Sequence, residues 1–202
     1  MTRPTEIASI AVCGDAGSGS LCQSLMSTQW HFLAPAIRAV HERRPVILVG
    51  RATVVRGWGL LSRLFGWASG LPPDQHNGPV RVLLENARGA SRERWTRYFG
   101  NARPMRSTLR RAGDCVDETI GITRLRFKFS LEGGSIRWTA VAGWTLGVPW
   151  PQSWLKGIDA SESHRGNHYY FNVRAALPGI GLIVHYVGEL EMVRTGTMAP
   201  RR

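Results

Sequence analysis

Lysine is almost missing from this chain: Lys128 and Lys156 are the only two, against 24 arginines. That skew weakens the most obvious reading of a net charge of +12. A GC-rich coding bias produces it without any phosphate to bind, and the arginines are spread along the chain rather than clustered. Nucleic acid is therefore not an expected partner. An Arg-rich surface still attracts anions, so peripheral contact with an anionic membrane stays open beside it.

Cysteine is scarce too. Cys13, Cys22 and Cys115 are odd in number and widely spaced. No CxxC unit or Cys/His cluster with zinc spacing appears, which excludes a zinc ribbon and a disulfide scaffold. The thiols are expected to be reduced, with no metal and no cofactor. No apolar run approaches the roughly 18 residues a membrane-spanning helix needs. The patch Ile7–Cys13 is short and interrupted by Glu6 and Ser9, a poor secretory signal, so cytoplasm is the expected location. No GxGxxG unit marks a dinucleotide-binding domain. Gly14–Ser20 mimics a phosphate loop but lacks the Lys-Ser/Thr pair that closes one. Ser24 and Ser107 have no GxSxG context, which argues against nucleophilic catalysis.

What is present is a pattern of period two. Tyr169, Phe171, Val173, Ala175 and Leu177 alternate with polar neighbours. After Pro178-Gly179, Leu182, Val184, Tyr186 and Leu190 face one way. This is an antiparallel hairpin with one buried face. The pattern recurs upstream. Thr123, Leu125, Phe127, Phe129 and Leu131 point in, and the Gly133-Gly134 turn leads to Ile136, Trp138, Ala140, Ala142 and Trp144. Shorter runs at 46–57, from Pro79, at 95–99, 103–111, 115–120 and 157–164 also read as strands.

Helices come first. Leu21, Leu25, Trp30, Leu33, Ile37 and Val40 fall near helical spacing, with Pro35 dividing the stretch near Ala34. A second helical run covers Leu60–Ala68 and ends at Gly70-Leu71-Pro72-Pro73. The expected organisation is a flexible segment at 1–20, one globular domain at 21–193 and a disordered tail at 194–202. The expected fold class is mainly β with N-terminal helices (α+β). A long antiparallel meander of about nine strands would be curled or barrel-like, with helices packed in or over one end. Curling hides the edges of so wide a sheet.

Specific pieces also carry a resemblance. They are Gly50-Arg51-Ala52, Val55–Gly59, Gly70-Leu71-Pro72, Arg92–Phe99, Arg106-Ser107 and Glu118–Gly121. Then come Gly147–Pro151, Glu162, Phe171-Asn172-Val173, Pro178–Leu182 and Tyr186–Gly188. Over about residues 21–190 the chain resembles an uncharacterised bacterial domain of unknown function. That family occurs alone, C-terminal to saccharopine-dehydrogenase-like reductase domains, or joined to membrane segments. The resemblance implies a reductase domain as a partner, but no activity. Asn172 stands where an Asp is expected, and Asn167 replaces an Asp-Gly turn pair.

The chemistry-bearing candidates are few. Trp95, Arg97 and Phe99 share a face, since residues two apart do. Arg97 is thus expected to be buried, bonded to Glu118 or Glu162, or else to clamp an anionic head group together with Arg51. A carboxylate in an aromatic pocket holds its proton more tightly, which would suit Glu93, Glu118 or Glu162 as a catalytic acid/base. Glu162 and His164 lie one strand away from His168, a possible metal set without a spacing signature. Trp150 and Trp154 are core anchors or an aromatic lip. Arg124, Arg126 and Lys128 could form a basic stripe beside Arg137 and Arg174. The leading expectation is a non-enzymatic binding module for a small apolar or amphipathic anionic ligand, lipid-like in character. Arg51, Trp95, Arg97, Phe99, Trp150, Trp154 and Tyr186 would contact it. An enzyme using a pocket carboxylate is the alternative, and an anionic-surface binder the third.

Overall fold

The computed structural model describes residues 20–87, 92–166 and 168–193. The lead-in to residue 19, the Gly89–Ser91 turn, Asn167 and the tail from residue 194 lie outside them. Two short helices, α1 (Leu21–Met26) and α2 (Pro35–Glu42), precede β1 (Val46–Arg56). Helix α3 (Leu60–Ala68) follows. Next come β2 (Gln75–Asn86), β3 (Arg92–Phe99), β4 (Met105–Ala112), β5 (Cys115–Ile120), β6 (Thr123–Glu132) and β7 (Ser135–Thr145). A two-residue β8 (Val148–Pro149) and a single turn α4 (Gln152–Leu155) interrupt the meander before β9 (Ile158–Arg165), β10 (His168–Leu177) and β11 (Gly181–Met192).

Each strand pairs with the next in sequence, β7 reaches past β8 to β9, and β11 returns to β1 with Val54 opposite Tyr186. Ten strands thus close into an antiparallel barrel, one more than the expected count, with β8 hanging on β7. Closure leaves no open edge among the barrel strands, which a linear sheet of this width would have to protect in other ways. Ten strands also enclose more space than eight, whose interior is about filled by side chains or one small ligand.

The two ends are capped differently. Ser20 opens α1, its hydroxyl accepting the Gln23 N–H at 3.1 Å. Pro35 starts α2 where a missing N–H costs nothing. The Ala34 N–H bonds the Gly134 carbonyl at 2.9 Å, tying α2 to the β6–β7 turn. Together α1, α2 and the link between them plug this end with Leu21, Met26, Leu33, Ile37 and Val40, all buried. At the other end α3 lies over the mouth and packs on β11. The Ser62 hydroxyl donates to the Leu182 carbonyl at 2.6 Å, and a Cβ on Gly57 would collide with that same carbonyl.

Inside-outside expectations fail at two bulges. The β6–β7 register slips between Arg126 and Phe127, so Trp144 lies opposite Arg124 and faces outward. Its ring stacks under the Arg124 guanidinium at 4.2 Å, and Gly143 takes the inward position. The β10–β11 register slips between Ala175 and Ala176, so Ile183 and Val184 are buried while Leu182 is only half-buried. An extra residue in one strand reverses the facing of everything beyond it.

Candidate functional site: the barrel interior

The core of the barrel is aromatic and incompletely filled. Trp138 meets Trp95, Phe127 and Phe129 with ring centres 5.7, 5.5 and 4.4 Å away. Tyr186 meets Phe99 at 5.8 Å and Phe171 at 5.9 Å. Such tilted pairs are the favoured arrangement for rings. Among them runs a cavity of about 130 Å³. Phe65, Ser69 and Leu71 line it from the lid, and Trp95, Trp138, Glu162 and Tyr169 from deeper in the barrel.

Arg97 projects into this interior and is only 9% exposed. One terminal nitrogen donates to Ser107 Oγ at 2.9 Å and the other to Glu118 Oε1 at 3.2 Å. Two of the five guanidinium N–H donors are so accounted for. Burial opposes the charge of Arg97, but Tyr186, once ionised in strong base, and the Glu118 carboxylate outweigh it, so its pKa lies above the ordinary value. Burial pushes the Tyr186 hydroxyl up to about 12. It pushes Tyr169 up as well, with Glu162 adding to the effect. Both phenols therefore stay protonated near neutral pH and remain donors. The indole N–H of Trp138 is buried with no partner among the described residues.

Glu162 belongs to the same interior. Its Oε2 lies 2.5 Å from His41 Nε2, which α2 carries in from the plugged end, and Tyr169 bonds it from β10. Period two along β9 puts Ile158, Ala160 and Glu162 inward together. No sequence pattern could have found its partner, because His41 is 121 residues away.

Glu93 is a correction. It does not line the cavity but sits under the plug, where it accepts from Arg44 at 2.8 Å, the Trp95 indole at 2.9 Å and the Leu21 backbone N–H at 2.7 Å. Burial alone would raise its pKa, but Arg44, Trp95 and Leu21 outweigh that and hold it below the ordinary value. Cys22 shares this pocket. Burial pushes its thiol well up, and Glu162 and Glu93 push it further.

Arg51 is a second correction. It lies exposed on the outer wall, Nε donating to Asn77 Oδ1 at 3.1 Å. The outward positions of β1 include Ile47, Val49 and Val55, so the strand shows no alternation from which to read a facing. Of the other expected contacts, Trp95, Phe99, Trp150 and Tyr186 line the cavity. Trp154 does not; it backs Trp150 with ring centres 5.8 Å apart. Trp150 lies over Gly143, where a Cβ would stand 2.6 Å from the ring, and its N–H donates to Thr145 at 2.9 Å. The metal set does not assemble. Glu162 turns inward, whereas His168 lies beside Glu189 at 2.6 Å near the outer surface. Among the described residues no group of three or more His, Cys, Asp and Glu is placed to hold a metal ion.

The basic stripe is largely neutralised. Asp117 takes Arg126 at 2.6 Å and Arg110 at 3.6 Å, Lys128 lies 3.3 Å from Asp114, and Arg137 is shared by Glu132 and Asp159. Cys22 and Cys115 are free thiols, while Cys13 lies outside the described residues. No described helix is long and apolar enough to cross a membrane.

The family model for a domain of unknown function, DUF4166, matches residues 33–190, and the chain belongs to that family. No curated protein matches it. Among solved structures, Rv2717c from M. tuberculosis aligns with 80% of this chain and 99% of its own, at 16% identity and a TM-score of 0.43.

Proposed function

We propose that this member of the DUF4166 family is a non-enzymatic binding module. Its ligand is small, with an apolar body and an acceptor-bearing polar end, a carboxylate or a carbonyl. The observation that carries the reading is an apolar, aromatic cavity with few polar groups among its lining residues, Arg97 and Tyr186 the donors among them. Ligand sites have this make-up, mostly apolar walls with a small number of placed polar groups.

Volume limits the ligand. An apolar cavity of about 150 Å³ takes one benzene ring, and drug-sized sites run from about 300 Å³ upward. At about 130 Å³ the closed barrel fits one ring or a short chain. Anything longer needs α3 to lift. Glu118 already offsets the charge of Arg97, so hydrogen bonding, more than net charge, favours the polar end.

Benzoate, benzamide and toluene test this directly, being near in size and differing in charge and polarity. Titration is followed by Trp fluorescence and thermal melts. Benzoate or benzamide should bind more tightly than toluene and raise the melting temperature, with Tyr186→Phe weakening both. If none of the three binds at millimolar concentration, or toluene binds as well as the others, the reading fails.

One observation favours a second reading. Glu118 and Glu162 line the cavity, and Glu162 has both His41 and Tyr169 on it, an arrangement that could move a proton for a bound substrate. The first reading is preferred because both carboxylates already have side-chain partners. Loss of a turnover signal in Glu162→Gln, with ligand affinity retained, would favour the enzyme.

A further inference from the structure

Apart from Phe65, which lines the cavity, helix α3 has its residues inside out. Ser62 and Gly66 are buried, as is Ser69 just past its end, while Leu60, Leu61, Leu64 and Trp67 face solvent. Trp58 precedes it and is 94% exposed; Leu60 is 82% exposed and Trp67 80%. A surface helix normally turns its apolar stripe to the core. Single exposed apolar residues mean little, but a contiguous patch marks an interaction site. The patch extends beyond the helix. A Cβ on Gly121 would collide with the backbone of Ala68 and Ser69, the neighbouring Ile122 carbonyl accepts the Leu146 N–H at 3.0 Å, and Leu146 and Val148 are both exposed.

Charge is one-sided on the same rim. The connections that meet there are residues 57–74, 100–104, 121–122, 146–157 and 178–180. They carry Arg63, Arg103 and Lys156, all exposed, against Asp74. Asp74 is engaged by the Arg56 backbone N–H at 2.7 Å.

We propose that this rim docks on an anionic lipid bilayer, with α3 lying in the interfacial plane. Trp58, Leu60, Leu61, Leu64 and Trp67 enter the boundary between headgroups and acyl chains, and Arg63, Arg103 and Lys156 meet the lipid phosphates. Tryptophan is enriched at that boundary, and a helix lying there gains from both buried apolar area and cationic flanks. A second copy fits less well. A symmetric pairing through α3 would bring this cationic rim against itself, and like charges across an interface are penalised. Partner proteins also expect roughly one hydrogen bond per 100–200 Å², and the apolar side chains of this patch offer only two indole N–H groups, those of Trp58 and Trp67. Docking would set the cavity mouth against an apolar reservoir. That consequence rests on the proposed ligand reading; the docking itself does not.

The test uses the full chain and vesicles of equal parts phosphatidylglycerol and phosphatidylcholine, with phosphatidylcholine alone for comparison, and no cavity ligand. The protein should sediment with the anionic vesicles, and brominated acyl chains should quench its fluorescence. Leu61→Asp/Leu64→Asp should lower partitioning by about tenfold or more, the equivalent of withdrawing buried leucine surface. Trp58→Phe/Trp67→Phe should still bind but lose most of the quenching. Ile47→Asp/Val49→Asp, on the outer wall of β1, should partition like the wild type, and thermal melts confirm that each variant folds. The proposal is overturned if the wild type stays in solution. It is overturned equally if the α3 double-aspartate variant binds as well as the wild type. A wild-type dimer that this variant converts to monomer, with no vesicle binding, would assign the face to a second copy instead.

Discussion

The two ends of the barrel solve opposite problems. The plugged end buries the side chains of His41, Arg44, Glu93 and Glu162 and gives each at least one partner. The mouth buries hydroxyls and glycines under α3 and leaves leucine and tryptophan in solvent. Buried charge is costly unless paired and hydrogen-bonded, so the plugged end holds only in one arrangement. Exposed apolar surface costs the mouth little in the folded chain and leaves it open to a partner. One end is thus specified by its interior, the other by what lies outside it.

The largest effect should come from breaking a pair at the plugged end. Arg44→Met keeps the length of the side chain and strands Glu93, which should cost about 3–5 kcal/mol, the usual loss when one member of a buried pair is removed. Chemical denaturation measures it. Arg97→Met, midway along the barrel, should cost somewhat less. Its pair with Glu118 leaves both side chains 10% exposed, against 1% and 3% for Arg44 and Glu93. Adding Glu118→Leu should restore much of the loss, because an apolar pair replaces the stranded carboxylate. If Arg97→Met alone is neutral, the pair is not holding the barrel.

Acid should also separate the two ends. Glu93 titrates lower in the folded chain than its ordinary value of 4.5. Its contribution is therefore complete above about pH 4.5 and is lost as pH falls through the lower folded value. Hydrogen exchange below that point should rise first in α1 and β3 and later in α3. In Arg44→Met the cation that lowers Glu93 is gone, and the acid limb of the stability curve should flatten. Equal acid sensitivity at both ends would remove the contrast.

Much of the barrel is legible in the sequence because inward and outward residues differ in kind. Along β6 and β10 the period of two places the side chains correctly, and Arg97 between Trp95 and Phe99 falls where that period puts it. The period fails on β1, where both faces are apolar and Arg51 gives no sign of facing out. It fails again past a bulge, which leaves no mark in composition, so Trp144 and Leu182 fall on the opposite side from the one the period gives them. The site is less legible than the fold. Arg44 with Glu93 and His41 with Glu162 are joined only by closure of the barrel around its plug, at separations of 49 and 121 residues. Helix α3 is legible in extent but not in orientation. Its large apolar residues suggest a buried face, whereas the residues that fit against β11 are its small ones.

That inversion yields the smallest expected effects and the sharpest check on the mouth. Ser62 is fully buried and donates to the Leu182 carbonyl at a bulge, where the sheet ladder shifts. Ser62→Ala leaves that carbonyl without its donor, and an unmet buried acceptor costs about 1–3 kcal/mol. Most of it should be local, read as faster amide exchange in α3 with β6 and β7 unchanged. Leu64→Gln removes a far larger apolar group, yet it should shift stability by no more than about 0.5 kcal/mol, as for a surface site. In a conventionally oriented helix the ranking would be reversed, the leucine costing several times the serine. A Leu64→Gln loss exceeding that of Ser62→Ala would mean that Leu64 is covered in solution, and that α3 closes on the barrel with its other face.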